Sequence, residues 1–353
     1  MRTELVAIAE NRTEGERERA LLVRAGKILR DGGLVAFPTE TVYGLGGDAL
    51  NPASSKKIYA AKGRPSDNPL IVHIAEIEAL PRLVREVPEQ ARRLAEAFWP
   101  GPLTMILRRS PAVPLETTGG LETVAVRFPS NRIAQGLIRA AGGYVAAPSA
   151  NRSGRPSPTL ARYCMEDLDG LVEMVIDGGP VGIGVESTIV DLSEEKPTLL
   201  RPGYVTREAL AQVLGEVEVD RTILTPDCGL RPKAPGMKYR HYAPRGELTI
   251  VEGEREQVIV YINAQTAEAA AQGKKSGVIC TDETRGRYSA DCVRSAGSRE
   301  DEAGVAHSLF RILREFDDEG AEVLFSEAFP ESGVGQAVMN RLMKAAGHRV
   351  VRV

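Results

Sequence analysis

Two cations two residues apart, Lys62 and Arg64, stand in "KGRPSDNPLIVHI" (Lys62–Ile74), directly ahead of an apolar run with strand character. In extended backbone such residues point the same way, so both charges are expected to reach one polyanion, Lys as a mobile point charge and Arg as a planar fork. As loop cations they are expected to contribute little to stability. A second polar cluster lies in "APSANRSGRPSPT" (Ala147–Thr159), where the strand-like "YVAAP" delivers Ser149, Asn151 and Ser153 onto a loop with Gly154 and two prolines. Hydroxyls, an amide and exposed backbone N–H groups make a cradle for phosphate oxygens. In "FPTETVYGLGGDA", Thr39 and Thr41 read as hydroxyls at the mouth of a pocket.

Other chemistries find little support. Gly44-x-Gly46-x-x-Ala49 imitates a dinucleotide fingerprint, but "PTETVY" separates it from the preceding strand, and Asp67, about 20 residues on, sits in a loop rather than at a strand end. No GxxxxGK[ST] or GxSxG is present. His73, His241, His307 and His348 are too dispersed for a triad or a metal set, and His73 reads by default as a satisfied strand histidine. The four cysteines are scattered with no CxxC, which suits reduced thiols and a cytoplasmic protein.

The elements that must position these groups alternate. Strands are expected at Leu34–Thr39, Leu70–Ile74, Leu103–Arg109, Val124–Pro129, Tyr144–Ser149, Met174–Asp177, Ser187–Leu192 and Thr198–Pro202, from their length and β-branched content. Helices separate several of them: one from the Asn51 cap and Pro52, one from Pro88 to Phe98, one from Ser130 to the Gly142–Gly143 pair. After a helix at Thr206–Gly215, the stretch from Leu224 to Glu247 has no periodic apolar pattern and reads as a long linker. The βαβ rhythm then resumes, with strands expected at "LTIVEG", "VIVYIN", "GVICTD" and "EVLFSEAF" and helices at "VAHSLFRILREFDDEG" and "GQAVMNRLMKAAG". The expectation is an α/β protein: a large twisted-sheet domain at 1–206, a linker at 207–247, and a smaller Rossmann-like domain at 248–353.

Composition bounds the function. With 353 residues, 42% hydrophobic, 26% charged and a formal net charge of -3, the chain is long enough for two domains and is no wholesale nucleic-acid binder. The region from Leu248 onward carries an excess of acidic residues. Direct nucleic-acid binding by that region is therefore expected to be weak or absent. No apolar run approaches the ~20 residues of a membrane span, and the charged N-terminus does not read as a signal peptide.

"PTETVYGLG", Lys62-Gly63-Arg64, Ser149-Ala150-Asn151, "ESTIVD" and "RPG", in this order, together with "PGMKYRHYAP" (Pro235–Pro244) and "GxGxAxxNR" (Gly333–Arg341), resemble the YrdC/Sua5 family in its long, two-domain form. The resemblance covers essentially the whole chain. It implies L-threonylcarbamoyladenylate synthesis from ATP, L-threonine and bicarbonate, with pyrophosphate released and Mg²⁺ carried on the ATP phosphates rather than by direct protein ligands. The product would pass to a tRNA threonylcarbamoyl-transfer complex acting on adenosine 37 of tRNAs that read ANN codons. Carried over residue by residue, Lys62, Arg64, Ser149 and Asn151 would hold the phosphates, with Asn68, Thr123, Ser157, Arg201 and Tyr242 also on the nucleotide. Thr41, His73, Arg127, the Ala147 backbone and Ser187 would hold threonine. Arg127, ending an apolar strand, suits the carboxylate. The amine must react unprotonated, so no carboxylate is expected against it. The 235–244 stretch, with Tyr242, is expected to close as a lid over the nucleotide. Rival readings are a double-stranded RNA or ribosome-assembly factor, carbamoyl transfer to another acceptor, and a nicotinamide dehydrogenase.

Overall fold

The α/β alternation is realised in the computed structural model, which describes residues 2–13, 15–220, 223 and 241–353. Two units emerge from its contacts: one from the described parts of Met1–Ser153, Ser157–Gly182 and Glu186–Tyr239, the other from those of Gly154–Pro156, Ile183–Val185 and Arg240–Val353.

The larger unit is organised by eleven strands. These are β1 (Glu4–Ala7), β2 (Val35–Phe37), β3 (Gly44–Asp48), β4 (Ile71–His73), β5 (Leu103–Arg108), β6 (Thr123–Arg127), β7 (Val145–Ala146), β8 (Met174–Asp177), β9 (Thr188–Asp191), β10 (Thr198–Arg201) and β11 (Glu218–Val219). They form one mixed sheet in the order β1-β8-β2-β3-β7-β4-β6-β5-β9-β10-β11. All eight strands expected of this region are present, most of them trimmed at the ends. β1, β3 and β11 were not expected. β3 reads "GLGGD", a poor strand by propensity. It is glycine-rich because its neighbours leave no room: a Cβ on Gly46 would lie 2.9 Å from the Phe37 ring, and one on Gly47 3.0 Å from Ile58. These glycines therefore lie inside a strand and not in a phosphate loop, which removes the structural context that the dinucleotide reading needs.

Helices α1 (Glu16–Arg30) and α5 (Arg132–Ala140) pack on one another. With Val35, Phe37, Val145, Met174 and Ile176 they enclose an aliphatic core on one face of the sheet. The opposite face builds the largest core, to which α2 (Pro52–Lys62), α3 (Leu80–Leu83), α4 (Glu89–Phe98), α6 (Ala161–Leu168) and α7 (Arg207–Leu214) contribute. α2 starts as expected, with the Asn51 side chain accepting from Ala53 N at 2.9 Å and Pro52 in the first turn, and stops on Gly63 at φ +61°. The helix expected at Thr206–Gly215 is α7, which packs on α4, while β11, inside the stretch assigned to the linker, pairs in parallel with β10.

The smaller unit holds β12 (Glu247–Glu252), β13 (Ser276–Cys280), β14 (Cys292–Ser295), β15 (Val323–Glu327) and β16 (Val350–Arg352), with helices α8 (Arg255–Ala271), α9 (Glu302–Glu319) and α10 (Gly335–Ala345). Its sheet is all parallel in the order β14-β13-β15-β12-β16, the Rossmann-like arrangement expected. "VIVYIN" corrects the sequence reading: it lies inside α8, not in a strand. Val258, Ile259, Ile262, Thr266 and Ala269 form the buried stripe of a 17-residue helix, while Val260 is 68% exposed. A short apolar run carries too few residues for its period to separate strand from helix.

Candidate active site

Strand register builds the site. Val145, His73, Arg127, Thr104, Ile189 and Arg201 are successive cross-strand partners over β7, β4, β6, β5, β9 and β10. Directly paired residues point to one face of a sheet, so His73, Arg127, Thr104 and Arg201 share the face that α1 and α5 cover at its other end. Alternation puts Ile71, Ala125 and Ile106 beside them on that face, where with Ile189 and Leu200 they form a small apolar floor.

Around this floor the polar groups are ordered. His73 is buried, with Nδ1 3.1 Å from Ile71 O and its ring edge-on to Phe37. Burial and then the Arg127 charge push its pKa down to about 3, so the imidazole is neutral near pH 7. Ser187, just before β9, shares a 2.8 Å hydrogen bond with the Thr104 hydroxyl. Arg201 donates from Nε to Ser187 O at 3.0 Å and from Nη2 to Ser187 Oγ at 3.1 Å, fixing that serine. Thr41 and Thr39 are buried with hydroxyls 2.9 Å apart, and Thr39 Oγ1 also accepts from the Thr41 and Val42 amides. Thr39 thus shapes the turn, and neither threonine sits at an exposed mouth. The Ala147 N–H donates to Ile71 O at 2.8 Å and is therefore already engaged within the sheet.

The expected phosphate cluster assembles by a different geometry. Lys62 and Arg64 do not share an extended strand: Lys62 is the last residue of α2, and the left-handed Gly63 turns the chain before Arg64. Both are buried, at 2% and 8% exposure, rather than solvated loop cations. Lys62 Nζ donates to the carbonyls of Ser149 and Asn151, with Asn151 Oδ1 at 3.5 Å. Ser149 Oγ donates to Asn151 Oδ1 at 2.5 Å. Arg64 donates from Nε to Asn68 O at 3.2 Å and from Nη2 to Pro69 O at 3.1 Å. The Asn68 side-chain oxygen is buried without a hydrogen bond among the described residues. Lys62, Ser149 and Asn151 thus form one contact group and Arg64 with Asn68 another, the two joined along the chain through Gly63.

Thr123 opens β6, four residues before Arg127 and on the same face, which separates the two by about 13 Å along the strand. Ser157 donates to Glu186 Oε1 at 2.5 Å. Tyr242 belongs to the smaller unit, where its ring centroid lies 5.0 Å from that of Phe310 and its φ is +65°. The rest of the expected lid falls outside the described residues up to Arg240. The smaller unit has its own cleft of about 480 Å³ at the ends of β12 and β15, lined in part by the Arg299–Glu327 pair and by none of the expected site residues.

Sequence reasoning missed Glu40, Thr104 and Glu186. Glu40 places a carboxylate beside Arg127, the residue expected to take the carboxylate of the amino acid. Its Oε1 is 2.7 Å from Arg127 Nη2, with side-chain exposures of 13% and 5%. A guanidinium buried over an apolar floor needs a counter-charge, and "PTET" supplies it from between the two threonines. No group of three or more His, Cys, Asp or Glu able to hold a metal ion occurs among the described residues, and none of their helices is long and apolar enough to cross a membrane.

Residues 27–203 match the family model described as "Telomere recombination", and residues 205–347 match "Threonylcarbamoyl-AMP synthase, C-terminal domain". Threonylcarbamoyl-AMP synthase of Bacillus subtilis is 50% identical over 332 residues, 94% of either chain. The protein of the same name from Pyrococcus abyssi is 48% identical over 348 residues, 99% of this chain and 100% of that one. The crystal structure of P. abyssi Sua5 complexed with L-threonine superposes with a TM-score of 0.92 at 46% identity, covering 99% of this chain and 100% of that one.

Proposed function

The chain belongs to the two-domain Sua5 family of threonylcarbamoyl-AMP synthases, and on that premise we propose how its larger unit carries out the synthesis. The activity is formation of L-threonylcarbamoyladenylate, which serves the N6-threonylcarbamoyladenosine modification of tRNA. The substrates in this reading are ATP, L-threonine and bicarbonate or CO₂. The observation that carries it is the register row of His73, Arg127 and Thr104, with Ser187 and Arg201 at its end.

Arg127 takes the threonine carboxylate, and Thr41, neutral His73, Ser187 and the Ala147 backbone enclose the rest of the amino acid. The amine nitrogen bonds to the carbon of CO₂, taken up directly or formed from bicarbonate by loss of water, and sheds a proton to solvent, leaving a carbamate. A carbamate oxygen then bonds to the α-phosphorus as the bond to pyrophosphate breaks. Lys62, Arg64, Ser149 and Asn151 hold the phosphates, so that charge developing on the leaving group meets fixed positive charge. Asn68, Thr123, Ser157 and Arg201 are assigned to the nucleotide. Mg²⁺ is proposed to arrive on the triphosphate, held through the phosphate oxygens rather than by direct protein ligands. Transfer of the product to adenosine 37 is assigned to a separate tRNA threonylcarbamoyl-transfer complex, and the protein is placed in the cytoplasm. The test is pyrophosphate release from ATP. It should require L-threonine and bicarbonate together, and equal release with threonine omitted would overturn the reading.

A further inference from the structure

The Arg127–Glu40 pair is close in distance but poorly made. The charges approach to 2.7 Å, yet both Glu40 oxygens and the Nε and Nη2 of Arg127 are buried without a hydrogen bond among the described residues. A buried ion pair is stable only when its remaining donors and acceptors are also satisfied, and orphaned buried polar atoms call for an explanation. Four of them meet here, two acceptors on one residue and two donors on the other.

We propose that Glu40 reads the α-ammonium group of the amino-acid substrate while Arg127 reads its carboxylate. This rests on the assignment of threonine to this site. One α-amino acid completes all four atoms: its carboxylate accepts from Nε and Nη2, and its ammonium donates to the Glu40 oxygens. The nitrogen and carboxyl carbon of an α-amino acid are only about 2.5 Å apart, so one molecule can present both groups to two side chains that are themselves in contact. Named neighbours of the pair are uncharged. His73 is neutral, Thr39 and Thr41 flank Glu40 with hydroxyls engaged to one another, and the floor is aliphatic. Glu40 also gives the nitrogen's surplus proton an acceptor, so the carboxylate does not prevent the amine from reacting.

The test compares L-threonine with its analogue carrying an α-hydroxyl in place of the amine, each titrated calorimetrically into the full-length protein. The wild type is expected to prefer threonine by roughly tenfold or more, the scale of a hydrogen bond to a charged group. Glu40→Gln should remove most of that preference through weaker threonine binding, with the analogue little changed. A Glu40→Gln protein that keeps the wild-type preference, or that loses both ligands equally while remaining folded, overturns the proposal. Should Glu40→Gln not fold, Glu40→Asp draws the carboxylate back by one methylene. It should lower the preference several-fold, and an unchanged preference again overturns the idea. Threonine-independent pyrophosphate release would instead sink the parent reading, so the two failures are distinguishable.

Discussion

The Lys62 ammonium, at the last position of α2, holds the backbone carbonyls of both Ser149 and Asn151. The cation at the head of one motif thereby fixes the loop of the other. Lys62 is almost wholly buried, so its removal leaves those carbonyls without a charged donor, at a cost of roughly 1.5–3 kcal/mol per bond lost. Lys62→Met is therefore expected to lower the urea midpoint as well as kcat/KM for ATP, contrary to the sequence-based view of a cation indifferent to stability. Lost ATP use with an unshifted midpoint would show that Lys62 acts on ATP alone.

Arg127 is expected to act on threonine more than on ATP. Arg127→Lys keeps the charge but loses the planar fork. KM for threonine should rise at least about tenfold, or roughly 1.4 kcal/mol, while KM for ATP changes little. Steady-state kinetics with each substrate varied in turn decide it. A rise confined to ATP would refute the carboxylate assignment.

Arg201 and Ser187 should behave as one unit, because two hydrogen bonds join them. Contacting residues couple by roughly 0.5–3 kcal/mol. In a double-mutant cycle on kcat/KM for threonine, Ser187→Ala together with Arg201→Ala is expected to cost less than the two separate losses combined. Strict additivity would mean that Arg201 serves the nucleotide independently of Ser187.

His73 makes stability depend on acid in a predictable direction. Its folded pKa is depressed to about 3 from 6.5, first by burial and then by Arg127. Between those values the unfolded chain binds more protons than the folded one, so this residue's contribution to stability falls as pH drops from about 6.5 towards 3. His73→Gln should flatten that part of the profile in urea unfolding at a series of pH values. An equally steep loss in the variant would place the acid sensitivity elsewhere.

Much was legible in the sequence because its signals are local. Short β-branched runs marked all eight expected strands of the larger unit, Asn51 and Pro52 marked the start of α2, and the spacing of the motifs pointed to a family to which the chain belongs. Local signals failed where packing outweighed propensity. "GLGGD" is a strand because Phe37 and Ile58 crowd it, and "VIVYIN" is a helix because its buried stripe extends beyond the run that was read. Tertiary structure alone decided which groups meet. Residues 73, 104, 127, 145, 189 and 201 are far apart in the chain, and their common row follows from strand order and register. Lys62 finds its carbonyl partners 87 and 89 residues away. Glu40 stands against Arg127 because a charge buried by the fold demands a counter-charge, and no local pattern shows where that burial will occur.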